Sequence, residues 1–203
     1  MIEVEAGKSE PRTALAQALE DADGVLRTFT AVLAIARLQA AGSAPDQSLL
    51  DPSALATGVA ELYQPLCEDR GLDFQTQLAS GLIVRGNPEF LAQALANILD
   101  NAVKYTPAGG ALMLRVRRRS SGEVEFSVTD TGPGVPPDQR ERVVERFVRL
   151  ENSRNQPGAG LGLPLVSAVA QAHDGRLELD EGPGRVDETG PGLRVALILP
   201  RVG

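Results

Sequence analysis

The 203-residue sequence predicts an α+β fold: a two-layer sandwich of a mixed β-sheet and helices, preceded by one long α-helix. Three observations carry that expectation. Residues 10–40 repeat apolar side chains at helical spacing and hold no strand pattern. The rest of the chain mixes runs of period two with runs of period three to four. Those runs do not follow a strict strand–helix–strand order, so helices are expected on one side of a mixed sheet.

Taken in order, the first helix is expected from about Glu10 to Ala40, with Ser9 as N-cap and Pro11 in the first turn. Leu15, Leu19, Ala22, Leu26, Phe29, Leu33 and Ala36 alternate by four and three, which marks a seam for another helix. The simpler alternative is one amphipathic helix lying on its own domain. The linker "AAGSAPDQSLLDP" then separates residues 1–45 from a second unit, 51–203. Asp51 and Pro52 read as N-cap and first residue of a helix reaching about Arg70. "LDFQTQ" and "LIVRG" read as short strands. Asn87 and Pro88 repeat the start signal and open a helix that ends at Thr106-Pro107. Two alternating strands follow, with Leu112, Leu114 and Val116 on one face of the first. Val124, Phe126, Val128 and Asp130 share a face of the second. A short helix is expected near "PDQRERVVERF", then a polar loop over about 151–160. "LGLPLVSAVAQAHDG" reads as a helix stopped at Gly175. The last strands carry Leu177 and Leu179, then Val195, Leu197 and Leu199, on either side of the turn-rich "DEGPGRVDETGPG".

Bulk chemistry narrows the function classes. A formal net charge of -7 argues against a nucleic-acid footprint, although a local basic site for a small phosphate ligand is compatible with it. Cys67 is the single cysteine, so neither an internal disulfide nor a thiolate zinc site is expected, and a reducing, cytoplasmic setting is. The N-terminal residues are charged and lack the apolar core of a signal peptide. The longest apolar run, "AVLAIA", stops at Arg37 and is too short to span a bilayer.

Three segments carry chemistry. In "LANILDNAVKYTPAGG" Asn97, Asn101 and Lys104 fall on one stripe of a helix, with Tyr105 at its edge. Asparagine is a poor helix former, so such a stripe faces either solvent or a ligand. Asp130 points toward the core, where an unpaired charge is costly, and runs into the glycine-rich "TGPGVP". It is either an aspartate capping the turn or an acceptor for a bound group such as an exocyclic amine. "GAGLGLPLV" brings small residues directly into a helix start, where amides and the dipole favour phosphate.

In this order, "NILDNAVKY", "DTGPG", "RFVR" and "GAGLGL" resemble the catalytic, ATP-binding domain of bacterial sensor histidine kinases. That domain belongs to the superfamily shared with gyrase, heat-shock protein 90 and mismatch-repair ATPases, and the resemblance covers about Asp51 to the C-terminus. It implies the Bergerat-type ATP-binding fold, with ATP and Mg²⁺ as cofactors. Asn97 and Asn101 match the N box, Asn101 offering its amide oxygen to Mg²⁺. Lys104 would lie against the phosphates and Tyr105 would border the adenine. Asp130 would accept from the adenine amino group over a floor shaped by Gly132 and Gly134. Phe147 and Arg149 match the F box at the edge of a lid, within which Arg154 is the candidate for the terminal phosphate. Gly158, Gly160 and Gly162, with Leu161 and Leu163 between and after them, match the last glycine box. Hydrolytic relatives place a carboxylate where Asn97 stands, so the resemblance implies a site that holds ATP with little hydrolysis and presents its γ-phosphate to a histidine.

The sequence departs from the family in one respect. The first helix looks like the second half of the dimerisation hairpin, and no phosphoacceptor histidine motif precedes it. His173, the sole histidine, matches a structural helix stop instead. A truncated piece of a longer kinase is the simplest account. It would work with an acceptor hairpin and a response regulator receiver domain, and associate weakly as a homodimer through Leu15, Leu19, Leu26 and Phe29. The alternative is a non-catalytic adaptor that binds a response regulator or another kinase.

Overall fold

The computed structural model describes residues 6–150, 159–184 and 190–202. Within the first helix it describes side chains at Leu15, Ala22, 24–26 and 28–40. That helix, α1 (Ala6–Ala41), already includes Ser9, which therefore does not cap it. Pro11 sits in its second turn, where the missing N–H deprives one carbonyl of its helical donor.

A short strand, β1 (Ser48–Leu50), pairs antiparallel with β3 (Val84–Gly86) in a two-stranded ribbon. The first of these was not expected, because three residues are too few to display a period. The helices α2 (Pro52–Asp69) and α3 (Pro88–Tyr105) start as predicted. Asp51 Oδ1 accepts the N–H groups of Ser53 and Ala54, and Asn87 Oδ1 accepts those of Glu89 and Phe90.

The main sheet has five strands in the order β2 (Asp73–Leu78), β4 (Ala111–Arg118), β5 (Val124–Asp130), β7 (Leu193–Leu199), β6 (Arg176–Glu181). Only β2 and β4 run parallel, so the sheet is mixed, as expected. Register sets Leu112 opposite Asp130 and Asp130 opposite Leu193. Leu91, Leu95, Ile98 and Ala102 of α3 are buried together with Leu112, Leu114, Val116, Val124, Phe126 and Val128. Burying one such large side chain contributes about 1.5–3 kcal/mol. On the other face, Glu125 is fully buried beneath Arg117 (3.0 Å) and Arg194 (2.8 Å), whose guanidinium groups, with Ser127, hold its pKa down to about 2 against desolvation.

The helix expected near "PDQRERVVERF" is instead two single 3₁₀ turns, Pro137–Gln139 and Arg142–Val144. Of these two turns only Val143 is buried, so the segment has no apolar stripe with which to seat a full helix. Helix α4 (Gly162–Ala172) ends near its predicted stop, but the left-handed residue is Asp174 (φ 54°), not Gly175. Gly175 still takes part in the stop: its N–H closes on Ala170 O at 2.8 Å and that of Asp174 on Gln171 O at 3.1 Å, while a Cβ on Gly175 would stand 2.2 Å from Ile198 O. Close approach to β7 selects that glycine. Cys67 is wholly buried, as a small apolar group would be.

The end of α1 docks on α4 through Ala31, Ala34, Ile35 and Leu38, all buried. Farther up, the expected seam is open: Leu15, Leu26 and Phe29 are 60–62% exposed, and Ala22, Leu33 and Ala36 are exposed as well. Leu19 lies outside the described side chains. The docked end fits a helix lying on its own domain, and the exposed stretch leaves the seam an expectation. No described helix is long and apolar enough to cross a membrane.

Candidate nucleotide-binding site

The site forms where three elements meet beside the end of β5 carrying Asp130. The first is the polar stripe of α3. Asn97, Asn101, Lys104 and Tyr105 are half-buried, because the stripe faces the first turn of α4. A Cβ on Gly162, the first residue of α4, would stand 3.3 Å from Asn101 Nδ2 and 3.4 Å from Asn97 Oδ1. A Cβ there would already be tight against Asn101 and in contact with Asn97, so a branched side chain would press on the amides. Asn97 Nδ2–H donates back to Gln93 O at 2.8 Å, and its Oδ1 is the atom that faces Gly162. Lys104 Nζ lies 3.1 Å from Tyr105 OH and 4.7 Å from the ring centroid, a cation–π arrangement that holds the ammonium at the helix end.

The second element is Asp130, 7% exposed. Its Oδ1 accepts the N–H of Gly132 at 2.8 Å and of Leu193 at 3.3 Å. The two sequence alternatives for this residue thus share one carboxylate. Oδ1 caps the turn, while Oδ2 takes no hydrogen bond among the described residues. Burial pushes its pKa up to about 6, against the lowering pull of the two amides. Gly132 must be glycine because a Cβ would stand 2.9 Å from Tyr105 O and 3.0 Å from Asp130 Oδ1.

Sequence reasoning missed the far wall. A Cβ on Gly192 would stand 2.2 Å from Asp130 O, and one on Gly134 (φ 72°) 2.5 Å from Gly192 O. The connection from β6 to β7 therefore folds back under Asp130, and its Leu193 N–H fixes the carboxylate. The glycine-rich run "DEGPGRVDETGPG" was the available signal, but nothing in it says which strand end it returns to.

The third element joins the F box to the glycine box. Phe147 N–H donates to Gly160 O at 3.2 Å, and Gly160 (φ 68°) would place a Cβ 2.7 Å from Val148 O and 3.1 Å from Arg149 Cγ. Phe147 is exposed and itself left-handed (φ 63°). Leu161 is buried and Leu163 packs on the core, which leaves their backbone rather than their side chains toward the site. Among the described residues no side chain caps the start of α4, and Leu161 occupies the N-cap position. Arg154 and Gly158 lie outside the described residues.

These groups fit a magnesium nucleotide. An uncapped helix start offers amides to phosphate, and Asp130 keeps one acceptor oxygen for an amine. Among the described residues no group of three or more His, Cys, Asp or Glu gathers to hold a metal. Magnesium accepts few protein ligands alongside phosphate oxygens and water, so one amide suffices.

Comparison with known proteins supplies the family. Residues 86–203, more than half of the chain, match the family of histidine kinase-, DNA gyrase B- and HSP90-like ATPases. The chain belongs to this ATPase family. Within it, the adaptive-response sensory kinase SasA of Synechococcus sp. strain JA-3-3Ab is 34% identical over 177 residues, covering 83% of this chain and 46% of that protein. The crystal structure of full-length ShkA in complex with AMPPNP superposes with a TM-score of 0.78 at 33% identity, over 95% of this chain and 39% of that one. The mycobacterial sensor histidine kinase MprB gives a TM-score of 0.63 at 31% identity, over 76% of this chain and 97% of that one. The chain spans less than half the length of the first two relatives. What it holds is the ATP-binding catalytic domain of sensor histidine kinases, preceded by a helix.

His173 is not a phosphoacceptor in this arrangement. It is 2% exposed, with Nδ1 2.7 Å from Val169 O and Nε2 accepting the Asn87 N–H at 3.0 Å. Both ring nitrogens are engaged, and burial holds its pKa below the usual range.

Proposed function

We propose that this chain binds Mg·ATP and delivers the γ-phosphate to a histidine on a helical hairpin, as the catalytic half of a two-component autokinase. The observation that carries this reading is the meeting of Asn97, Asn101 and Gly162 at the start of α4, one strand end away from the buried Asp130. In this reading Asp130 Oδ2 accepts from the adenine amino group, a charge-assisted bond contributing about 1.5–3 kcal/mol. Tyr105 borders the base and Lys104 lies against the phosphates. Asn101 would hold magnesium through its amide oxygen, and the ion would supply charge neutralisation of the triphosphate. Gly160 and Gly162, with Gly158, would offer backbone amides to the phosphates, and Arg154 is the candidate for the terminal one.

Asn97 decides the type of reaction. A neutral amide cannot take a proton from water as a carboxylate would. The nucleotide therefore waits for an outside nucleophile, a histidine imidazole, whose attack transfers the phosphoryl group and releases ADP. The acylphosphate-forming aspartate of a response regulator receiver domain would accept it next. The open seam of α1 supports self-association through Leu15, Leu19, Leu26 and Phe29.

The experiment supplies a separately expressed acceptor hairpin and radiolabelled ATP. Label on the hairpin histidine, with slow phosphate release when the hairpin is omitted, is the expected result. Rapid release of free phosphate without an acceptor, or no label on the hairpin while ATP binds, contradicts the reading.

A further inference from the structure

We propose that the outer edge of β2, with the groove between it and α2, is a docking site for an extended basic segment of a partner protein, which adds to the sheet as a further strand. The two edges of the five-stranded sheet differ in a way that calls for explanation. Edge strand β6 reads "RLELDE", and its charged side chains are tied into ion pairs, Arg176 with Glu123 and Glu178, and Asp180 with Arg194. Charged residues on an edge discourage another strand from pairing there. Edge strand β2 reads "DFQTQL" and carries no charge after Asp73, no proline and no bulge. It is six residues long, enough for a stable ladder. No described strand pairs with its outer side.

Exposure says how it is reached. Gln75, Thr76 and Gln77 are all exposed, although successive side chains point to opposite faces of the sheet. Both faces of the strand are thus open at the edge, including the one that α2 should cover. There α2 leaves a groove of about 230 Å³ lined by Thr57, Ala60, Glu61, Gln64, Thr76 and Leu78. Its floor is partly apolar and its one charged lining residue is an exposed carboxylate, Glu61. A main-chain ladder on one side and a pocket for alternate side chains on the other is how sheet edges recognise extended peptides. The carboxylate selects the sign: of a segment alternating small apolar residues with Lys or Arg, the basic side chains turn into the groove, their stems on its apolar floor and their charges at Glu61, and an acidic segment is repelled. The site lies outside the nucleotide groups described above, so phosphoryl chemistry does not depend on it.

Two acetylated heptapeptides test this, one alternating Lys with Val and one alternating Glu with Val. Affinity is read by amide NMR of the whole chain and protection by hydrogen exchange. The basic peptide should bind about tenfold more tightly than the acidic one, with protection gained at amides of Asp73–Leu78. Glu61→Lys should reverse that order, and Thr57→Arg, which fills the groove with its own cation, should abolish binding of the basic peptide. Unchanged nucleotide affinity shows that each variant is folded. Equal affinity for the two peptides, or shifts that avoid β2, would overturn the proposal. So would concentration-dependent protection of β2 without peptide, which would make a second copy of the chain the occupant.

Discussion

Gly162 stands at the first residue of α4 so close to Asn101 that an added Cβ would lie 3.3 Å from its Nδ2. The glycine is there to let the helix start and the amide stripe approach. Gly162→Val should therefore weaken ATP binding while leaving the sheet intact. Overpacking costs about 1–3 kcal/mol, or roughly five- to 150-fold in affinity if it falls on the site. Isothermal titration with AMPPNP measures the loss, and an unchanged affinity would separate Gly162 from the ligand.

Asp130 makes the protein's pH dependence unusual. Its folded pKa of about 6 lies above its ordinary value of 3.8, so its favourable contribution is complete below about pH 3.8 and is lost as pH rises through 6. The loss is about 3 kcal/mol at neutral pH. His173 acts in the opposite sense, since its lowered pKa gives stability above 6.5 that is lost on acidification. Urea unfolding of Asp130→Asn beside the native chain cancels the histidine. The variant should gain on the native protein from about pH 4 to pH 6 and level off above that. Parallel curves would show that the carboxylate is not desolvated.

Asp174 is a left-handed residue where glycine carries no penalty. Asp174→Gly should raise stability by about 0.5–1 kcal/mol, with the gain partly offset by the greater freedom of glycine in the unfolded chain. Thermal unfolding reads it directly. A lower melting temperature would mean that the aspartate side chain holds the stop.

The open half of α1 predicts association. Leu26 and Phe29 are 62% and 60% exposed on one stripe, an apolar face that favours burial against a like face. Sedimentation equilibrium should show concentration-dependent self-association, and the double change Leu26→Lys with Phe29→Lys should remove it. A native chain that stays monomeric at high concentration contradicts this expectation.

How much of this was legible in the sequence follows from the range of each signal. Local signals were read correctly: the Asp51-Pro52 and Asn87-Pro88 starts are caps with their hydrogen bonds made, and the period-two strands bury the residues expected. Asp130 was seen to turn inward because alternation along one strand says so. What was lost needs contacts distant in sequence. The β1–β3 ribbon spans two three-residue pieces, too short for a period. The Leu193 amide reaches Asp130 across 63 residues, and nothing near either residue records it. Gly175 does help to end α4, but the β7 carbonyl that requires a glycine there lies beyond any local signal. The resemblance of four motifs in order supplied what periodicity lacked, namely which ligand the amide stripe faces.

The most direct measurement is magnesium-dependent ATP binding by calorimetry, on the native chain and on Asp130→Asn. The account predicts saturable binding that weakens without magnesium and falls at least about tenfold in the variant, the loss of one charge-assisted hydrogen bond. Equal affinity in the two proteins, or no binding to the native chain, would contradict it.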